Sequence, residues 1–430
     1  MTAPADSYSV NSGVTIYGGR AAPGGGGGGG ASDIMTVRPA PGVLKSVHLN
    51  DLTSVNACPG NGCWYTGTTG QNGPWMNWNG AVFAPEYSTH GAMLYWGGGH
   101  GGYDGGELYL FDLSTRQWLC LGSNPPFDFL PSLDATWVDF LWNDSYIVPA
   151  THTYGGVLYI KPSLEGNAKG SWLLPNIGFG PLSPGLPQGH QMPHSMDLVT
   201  GVMKRATTNT LNLAGSNGYG GSFVDTTRNI AWYTGGTDST DVGRIDLNVA
   251  PASRTITRVT SFTTGGWYCT TRYVPSKDIA VSLWCDYGQT TVRLRMLDLS
   301  SGTPVDMATP PIDAHTMRGS GFGFDYCPDT GKFYCYEGYG STTVHVLTPP
   351  ANWHSTATAW TWSTETMAGE VPIAMTEIYP ASQGGDAPYS KWTYNPIVKC
   401  FMWSQGTTTR VCTDGVSRPG AFQLYRPLGT

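Results

Sequence analysis

The residues best equipped for chemistry cluster in the first part of the chain. His100, Tyr103 and Asp104 fall within the stretch WGGGHGGYDGG, and His152 opens HTYGGVLY. Six of the nine histidines precede residue 195, among them His90, His100, His152, His190 and His194. An imidazole beside a phenol and a carboxylate makes a polar cluster suited to ligand binding and, with further donors, to a metal. The plainer reading is a conformationally demanding glycine loop whose His and Asp bond to nearby backbone. Trp75 and Trp78 lie in GPWMNWNG, a Gly/Pro/Asn-rich setting that suits an exposed aromatic contact as well as core packing. The binding candidates are therefore Trp75, Trp78, His100, Tyr103, Asp104 and His152, on the loops of one face.

No catalytic residue, metal or cofactor is expected. Glycoside hydrolysis needs two carboxylates facing each other across a cleft. Asp104, Glu107, Asp325 and Asp386 read as loop residues, but nothing in the sequence pairs them, and turn formation explains most such aspartates. The glycine run AAPGGGGGGGAS lacks the Lys-Ser/Thr ending of a phosphate cradle, and no nucleophile elbow occurs. Cys58 and Cys63 in ACPGNGCW could close a small loop, but they lack a second Cys/His pair at zinc-ligand spacing.

Only 12% of the 430 residues are charged, against about 25% in ordinary globular proteins. The formal net charge is −7 and no basic run is present, which argues against nucleic acid as the main partner. No apolar run approaches the length that spans a bilayer. The first twenty residues lack a charged leader followed by an apolar core, so no secretory signal is expected there. The nine cysteines are an odd number, and without export they are expected to be reduced and partly buried.

Positioning these residues falls to β-structure. Gly (59 residues), Pro (31) and aromatic residues (12%) are abundant, and no helix-length stretch shows clean three-four spacing of apolar positions. An apolar residue, a Pro or Asp turn and an alternating strand ending near Gly recur as FAPEYSTHGAMLYWGGG, FVDTTRNIAWYTGG, YVPSKDIAVSLWCD, YCPDTGKFYCYEG and YNPIVKCFMWSQG. A degenerate copy is THTYGGVLYIKPS. Each reads as a hairpin, because Pro presets the turn and period-two alternation marks a half-buried strand. A second signature, Asp-Leu before a polar turn, occurs in FDLSTRQW, MDLVTGVMK, RIDLNV and LDLSSGT. Six copies, anchored at Pro85, Pro162, Asp225, Pro275, Pro328 and Pro396, imply six four-stranded blades. Radial packing of such blades covers the sheet edges and faces that a lone sheet leaves bare. The sixth copy shows no Asp-Leu strand, so VLKSVHLND (43–51) is expected to supply its missing strand and close the ring. Residues 1–38 then form a Gly-rich arm and 39–430 the propeller.

With these residues in view, the chain resembles the kelch and galactose-oxidase central-domain propellers, most closely in WGGGHGGYDGGELYLFDLSTRQW and HTYGGVLY. The resemblance covers about Trp78 to Pro427 and implies an all-β, six-bladed kelch-like β-propeller; it is not specific for function. Copper-oxidase chemistry would require His and Tyr ligands and a Cys-linked Tyr, and no position here matches that pattern. In overall character the chain is similar to bacteriophage short-tail nozzle or hub proteins. That likeness implies a structural virion protein located in the tail and made in the host cytoplasm. Its partners would be other tail proteins and copies of itself, with transient contact to passing DNA. A carbohydrate-binding propeller recognising a host glycan is the alternative.

Overall fold

The computed structural model describes residues 33–55, 79–96, 107–121, 153, 155–175, 190–191, 193–209, 211–212, 221–234, 242–259, 269–285, 291–307, 310–312, 322–338, 340–354, 360–373, 388–404 and 409–430. A one-turn helix, α1 (Ile34–Val37), leads into strand β1 (Val43–Ser46). The first blade is the meander β2 (Gly80–Ala84), β3 (Ala92–Trp96), β4 (Leu108–Asp112) and β5 (Gln117–Leu121). The second comprises β6 (Leu158–Ile160), β7 (Ser171–Leu174), β9 (His194–Asp197) and β10 (Met203–Arg205). A two-stranded ribbon, β8 (His190–Gln191) with β11 (Leu211–Asn212), flanks it in sequence. The third is β12 (Ser222–Asp225), β13 (Ile230–Thr234), β14 (Val242–Asp246) and β15 (Ile256–Val259). The fourth is β16 (Thr270–Val274), β17 (Ile279–Cys285), β18 (Val292–Asp298) and β19 (Thr303–Asp306). The fifth is β20 (Gly323–Cys327), β21 (Lys332–Tyr336), β22 (Thr343–Thr348) and β23 (Thr361–Thr366). The last sheet joins β24 (Ala368–Gly369), β25 (Thr393–Asn395), β26 (Cys400–Ser404) and β29 (Phe422–Tyr425) to β1. The hairpin β27 (Arg410–Val411) and β28 (Ser417–Arg418) stands between β26 and β29.

The strands β2, β6, β12, β16, β20 and β25 each touch the next, and β25 returns to β2. They are the innermost strands of a closed six-bladed propeller. Apolar side chains fill the seams between blades: Tyr95, Phe111 and Trp118 of the first blade meet Met402 and Phe422 of the sixth, with Phe111 stacked on Phe422 at 3.9 Å. Trp118, Trp232 and Trp284 are all buried, as strand tryptophans in such seams should be. The described cysteines Cys120, Cys269, Cys327, Cys335, Cys400 and Cys412 are unbridged and buried.

Each Asp-Leu signature ends a third strand, and its carboxylate caps the turn that follows. Asp112 Oδ1 accepts from Ser114 N at 2.9 Å, Asp197 Oδ1 from Val199 N at 2.8 Å, Asp246 Oδ1 from Asn248 N at 3.0 Å and Asp298 Oδ1 from Ser300 N at 2.9 Å. Pro162 departs from the expected turn role: it opens a one-turn helix, α2 (Pro162–Glu165), because its fixed φ suits a first helical position.

In the sixth blade β1 pairs antiparallel with β29, and β24 then pairs parallel with the outer edge of β1. The closing strand is thus hydrogen-bonded on both sides. Ser46 N and Oγ both donate to Glu370 Oε2, at 2.9 and 2.5 Å. Gly369 has φ +90°, and a Cβ there would stand 2.7 Å from Leu44 O. Ile34 of α1 is fully buried in the seam between the first and sixth blades, which moves the start of the packed body from residue 39 to about Asp33.

Strand direction gives the propeller two unlike ends. First-to-second and third-to-fourth strand connections gather at one end and are mostly tight turns, such as 226–229 and 328–331. The other strand ends, such as Trp96 of β3, Leu108 of β4 and Leu121 of β5, gather at the opposite end.

Candidate functional site

Trp75, Trp78, His100, Tyr103, Asp104 and His152 lie outside the described residues, as does Asp386. The described strands nearest to them in sequence, β2, β3 and β4, have Gly80, Trp96 and Leu108 at the end opposite the tight turns. The described residues at that end form the roots of the site, built from the starts of the innermost strands.

These starts are tied to one another by hydroxyl side chains. Thr153 Oγ1 accepts from Gly80 N at 2.6 Å and donates to Trp96 O at 2.9 Å. Ser390 Oγ accepts from Ala81 N at 3.0 Å, and Ser222 donates through N and Oγ to Gly155 O at 3.1 and 3.2 Å. Thr270 Oγ1 donates to Phe322 O at 3.1 Å. A short β-branched or hydroxyl residue fits here because each inner strand lies against two neighbours. Gly155 permits a close approach: a Cβ would sit 2.5 Å from Cys269 O, which belongs two blades further on.

Two charged groups occupy the same region. Lys391 is fully buried and donates to Asn79 Oδ1 at 3.0 Å. Arg272 of β16 forms an ion pair with Asp325 of β20 at 2.9 Å and donates to Thr393 Oγ1 of β25 at 3.3 Å, so it reaches across three consecutive blades. Asp325 also accepts from Tyr394 N and Tyr326 N, both at 2.8 Å. Burial raises the Asp325 carboxyl above its ordinary range, and the Arg272 charge and the two backbone donors oppose that rise. Asp325 is therefore a strand residue holding blades together, where the sequence suggested a loop.

Glu107, also expected in a loop, is 1% exposed immediately before β4. Tyr109 OH donates to its Oε1 at 2.7 Å, while Oε2 has no hydrogen-bond partner. Burial pushes its carboxyl up to about 7, with the Tyr109 bond pulling the other way. Tyr109 shares its face with Tyr95 in the seam toward the sixth blade, which puts Glu107 at the mouth of that seam. Glu107 belongs to the first blade and Asp325 to the fifth, and their hydrogen-bond partners differ. Among the described residues no cluster of three or more His, Cys, Asp or Glu could hold a metal ion.

Lys391, Arg272 and Thr153 had no signal in the sequence, since their partners lie far away along the chain. The available clue was the hydroxyl residue that opens three inner strands, Ser222 of β12, Thr270 of β16 and Thr393 of β25.

No family model and no curated protein matches the chain. Solved structures do resemble it. A structural-genomics protein of unknown function from Bacteroides thetaiotaomicron matches with TM-score 0.45 and 11% identity, over 89% of this chain and 75% of that one. A hydrazine synthase from Kuenenia stuttgartiensis matches with TM-score 0.40 and 9% identity, over 84% and 97%. A fungal alcohol oxidase of the AA5 family, in complex with copper, matches with TM-score 0.37 and 13% identity, over 82% and 74%. Likenesses this distant carry no argument about activity.

Proposed function

We propose that this chain is a non-enzymatic structural subunit of a virion: a kelch-like propeller that serves a bacteriophage tail as a nozzle or hub. Copies of it would pack into a ring on the genome exit path. The observation that carries the reading is how the axial charges are used. Asp325 is bonded to two backbone amides and to Arg272, and Lys391 is sealed against Asn79, so these groups staple blades instead of facing a substrate. Arg272 ties together three consecutive innermost strands, and a conduit for DNA would lie between copies and not through one propeller. The low charge and net −7 suit a wall that passes DNA without gripping it. Ile34 packs in the seam of the first and sixth blades, and the Gly-rich segment that precedes it in sequence would supply a contact to a neighbouring subunit.

The test is mass spectrometry of density-purified phage particles from a culture that expresses the gene. Stoichiometric presence in particles, lost from tailless particles, supports the reading. Absence from particles, with the protein free in the lysate, overturns it.

A further inference from the structure

The seam between the third and fourth blades carries an unusual set of side chains for an acidic protein. Trp232, Arg244 and Thr257 are directly opposite one another across β13, β14 and β15, so they share a face. In the fourth blade Trp284 is opposite Arg293, and Ser282, Arg295 and Asp306 align across β17, β18 and β19. Which faces these are follows from the apolar cluster that joins the two blades. It contains Trp232 and Val242 from one side and Ala280 and Leu297 from the other. Arg244 has the strand parity of Val242, and Arg293 and Arg295 have that of Leu297. All three arginines therefore face the same seam from opposite walls.

The indoles form its floor. Arg244 lies over the Trp232 ring at 5.7 Å and Arg295 over the Trp284 ring at 5.3 Å. Both tryptophans are buried, whereas Arg293 is exposed and Arg244 and Arg295 are half-buried. Among the described residues, the carboxylates on these faces include Asp306, which accepts from Arg295 Nε at 2.6 Å, and Asp246 and Asp225, which lie toward the tight-turn end. At the tight-turn end Arg228 bridges Asp225 and Asp278 and shuts the seam there. Arg244, Arg293 and Arg295 lie on the third strands of the two blades, away from that end.

We propose that this seam is a binding site for an acidic oligosaccharide, whose carboxylate or sulfate groups are held by Arg244, Arg293 and Arg295. Guanidinium forks match planar oxyanions, and stacking on indoles holds them in place for that contact. Isolated acidic groups spaced along a glycan fit one local concentration of cations. A nucleic acid would need phosphate contacts continued along its strand, which a chain of net −7 opposes. The site is independent of the subunit role proposed above, and its failure would leave that role untouched.

The test titrates the full-length chain with a heparin-derived hexasaccharide and with hexagalacturonate, against cellohexaose and a single-stranded DNA 20-mer, by calorimetry at low and moderate salt. Saturable binding of at least one acidic oligosaccharide is expected, weaker in higher salt and absent for cellohexaose. Arg293→Gln/Arg295→Gln should weaken it roughly ten-fold or more, the loss of one or two charge-assisted hydrogen bonds. Arg293→Glu, at an exposed position, gives the same reading without touching the seam floor. Arg258→Gln, on the other face of the third blade, should leave binding unchanged. No binding of either acidic oligosaccharide, equal or tighter binding of DNA, or indifference to the Arg293 variants would each overturn the proposal.

Discussion

Replacing Glu107 by glutamine isolates the energetic consequence of a buried carboxyl in the seam that closes the ring. The side chain is 1% exposed, its Oε2 is unpartnered, and burial lifts its carboxyl from 4.5 to about 7. A carboxyl raised in the folded state binds its proton more tightly there than in the unfolded chain. Its contribution is therefore full below about pH 4.5 and is lost as pH rises through about 7. At about 1.36 kcal/mol per unit, the loss amounts to about 3 kcal/mol by pH 8. Glutamine keeps an acceptor for Tyr109 OH and has no charge to bury. Urea denaturation of both proteins between pH 4.5 and 8.5 reads the difference directly. The variant should match the parent near pH 4.5 and exceed it by about 3 kcal/mol at pH 8, equivalent to a Tm rise of about 3–4 °C for a chain of this size. Two parallel stability curves across that range would refute the reasoning.

His48 works in the opposite sense: burial lowers its pKa, so the unfolded chain takes up the proton first and stability falls as pH drops below 6.5. His48→Gln should flatten that acid limb in the same denaturation series. Arg272→Ala leaves Asp325 buried without its cation and should cost about 3 kcal/mol or more, read as a lower urea midpoint. Gly369→Val places a side chain at φ +90° and against Leu44 O, and should cost about 1–3 kcal/mol. Limited proteolysis should then cut near β1 first, ahead of any site in the third or fourth blade.

The repeating architecture was legible because each hairpin carries its own punctuation. Pro85, Asp225, Pro275, Pro328 and Pro396 mark turns between first and second strands, and Asp112, Asp197, Asp246 and Asp298 end third strands. Such local chemistry survives in the sequence. The polar staples were not legible, because they join residues remote in sequence. Lys391 and Asn79 are 312 residues apart, and Arg254, whose guanidinium pairs with buried Glu165, is 89 residues from it. Asp325 shows the same limit: its alternating neighbours read equally well as strand or loop until its partners on β16 and β25 are placed. Pro162 was misleading because a proline that presets a turn presets a first helical residue equally well.

The central claim is that this propeller works as a building block of a larger ring. Native mass spectrometry of the purified full-length chain tests it most directly. The account predicts a closed oligomer at an integer multiple of 46.0 kDa, with ring-shaped particles by electron microscopy of the same sample. A single 46.0 kDa species at every concentration, with no assembly on tail components, would contradict it.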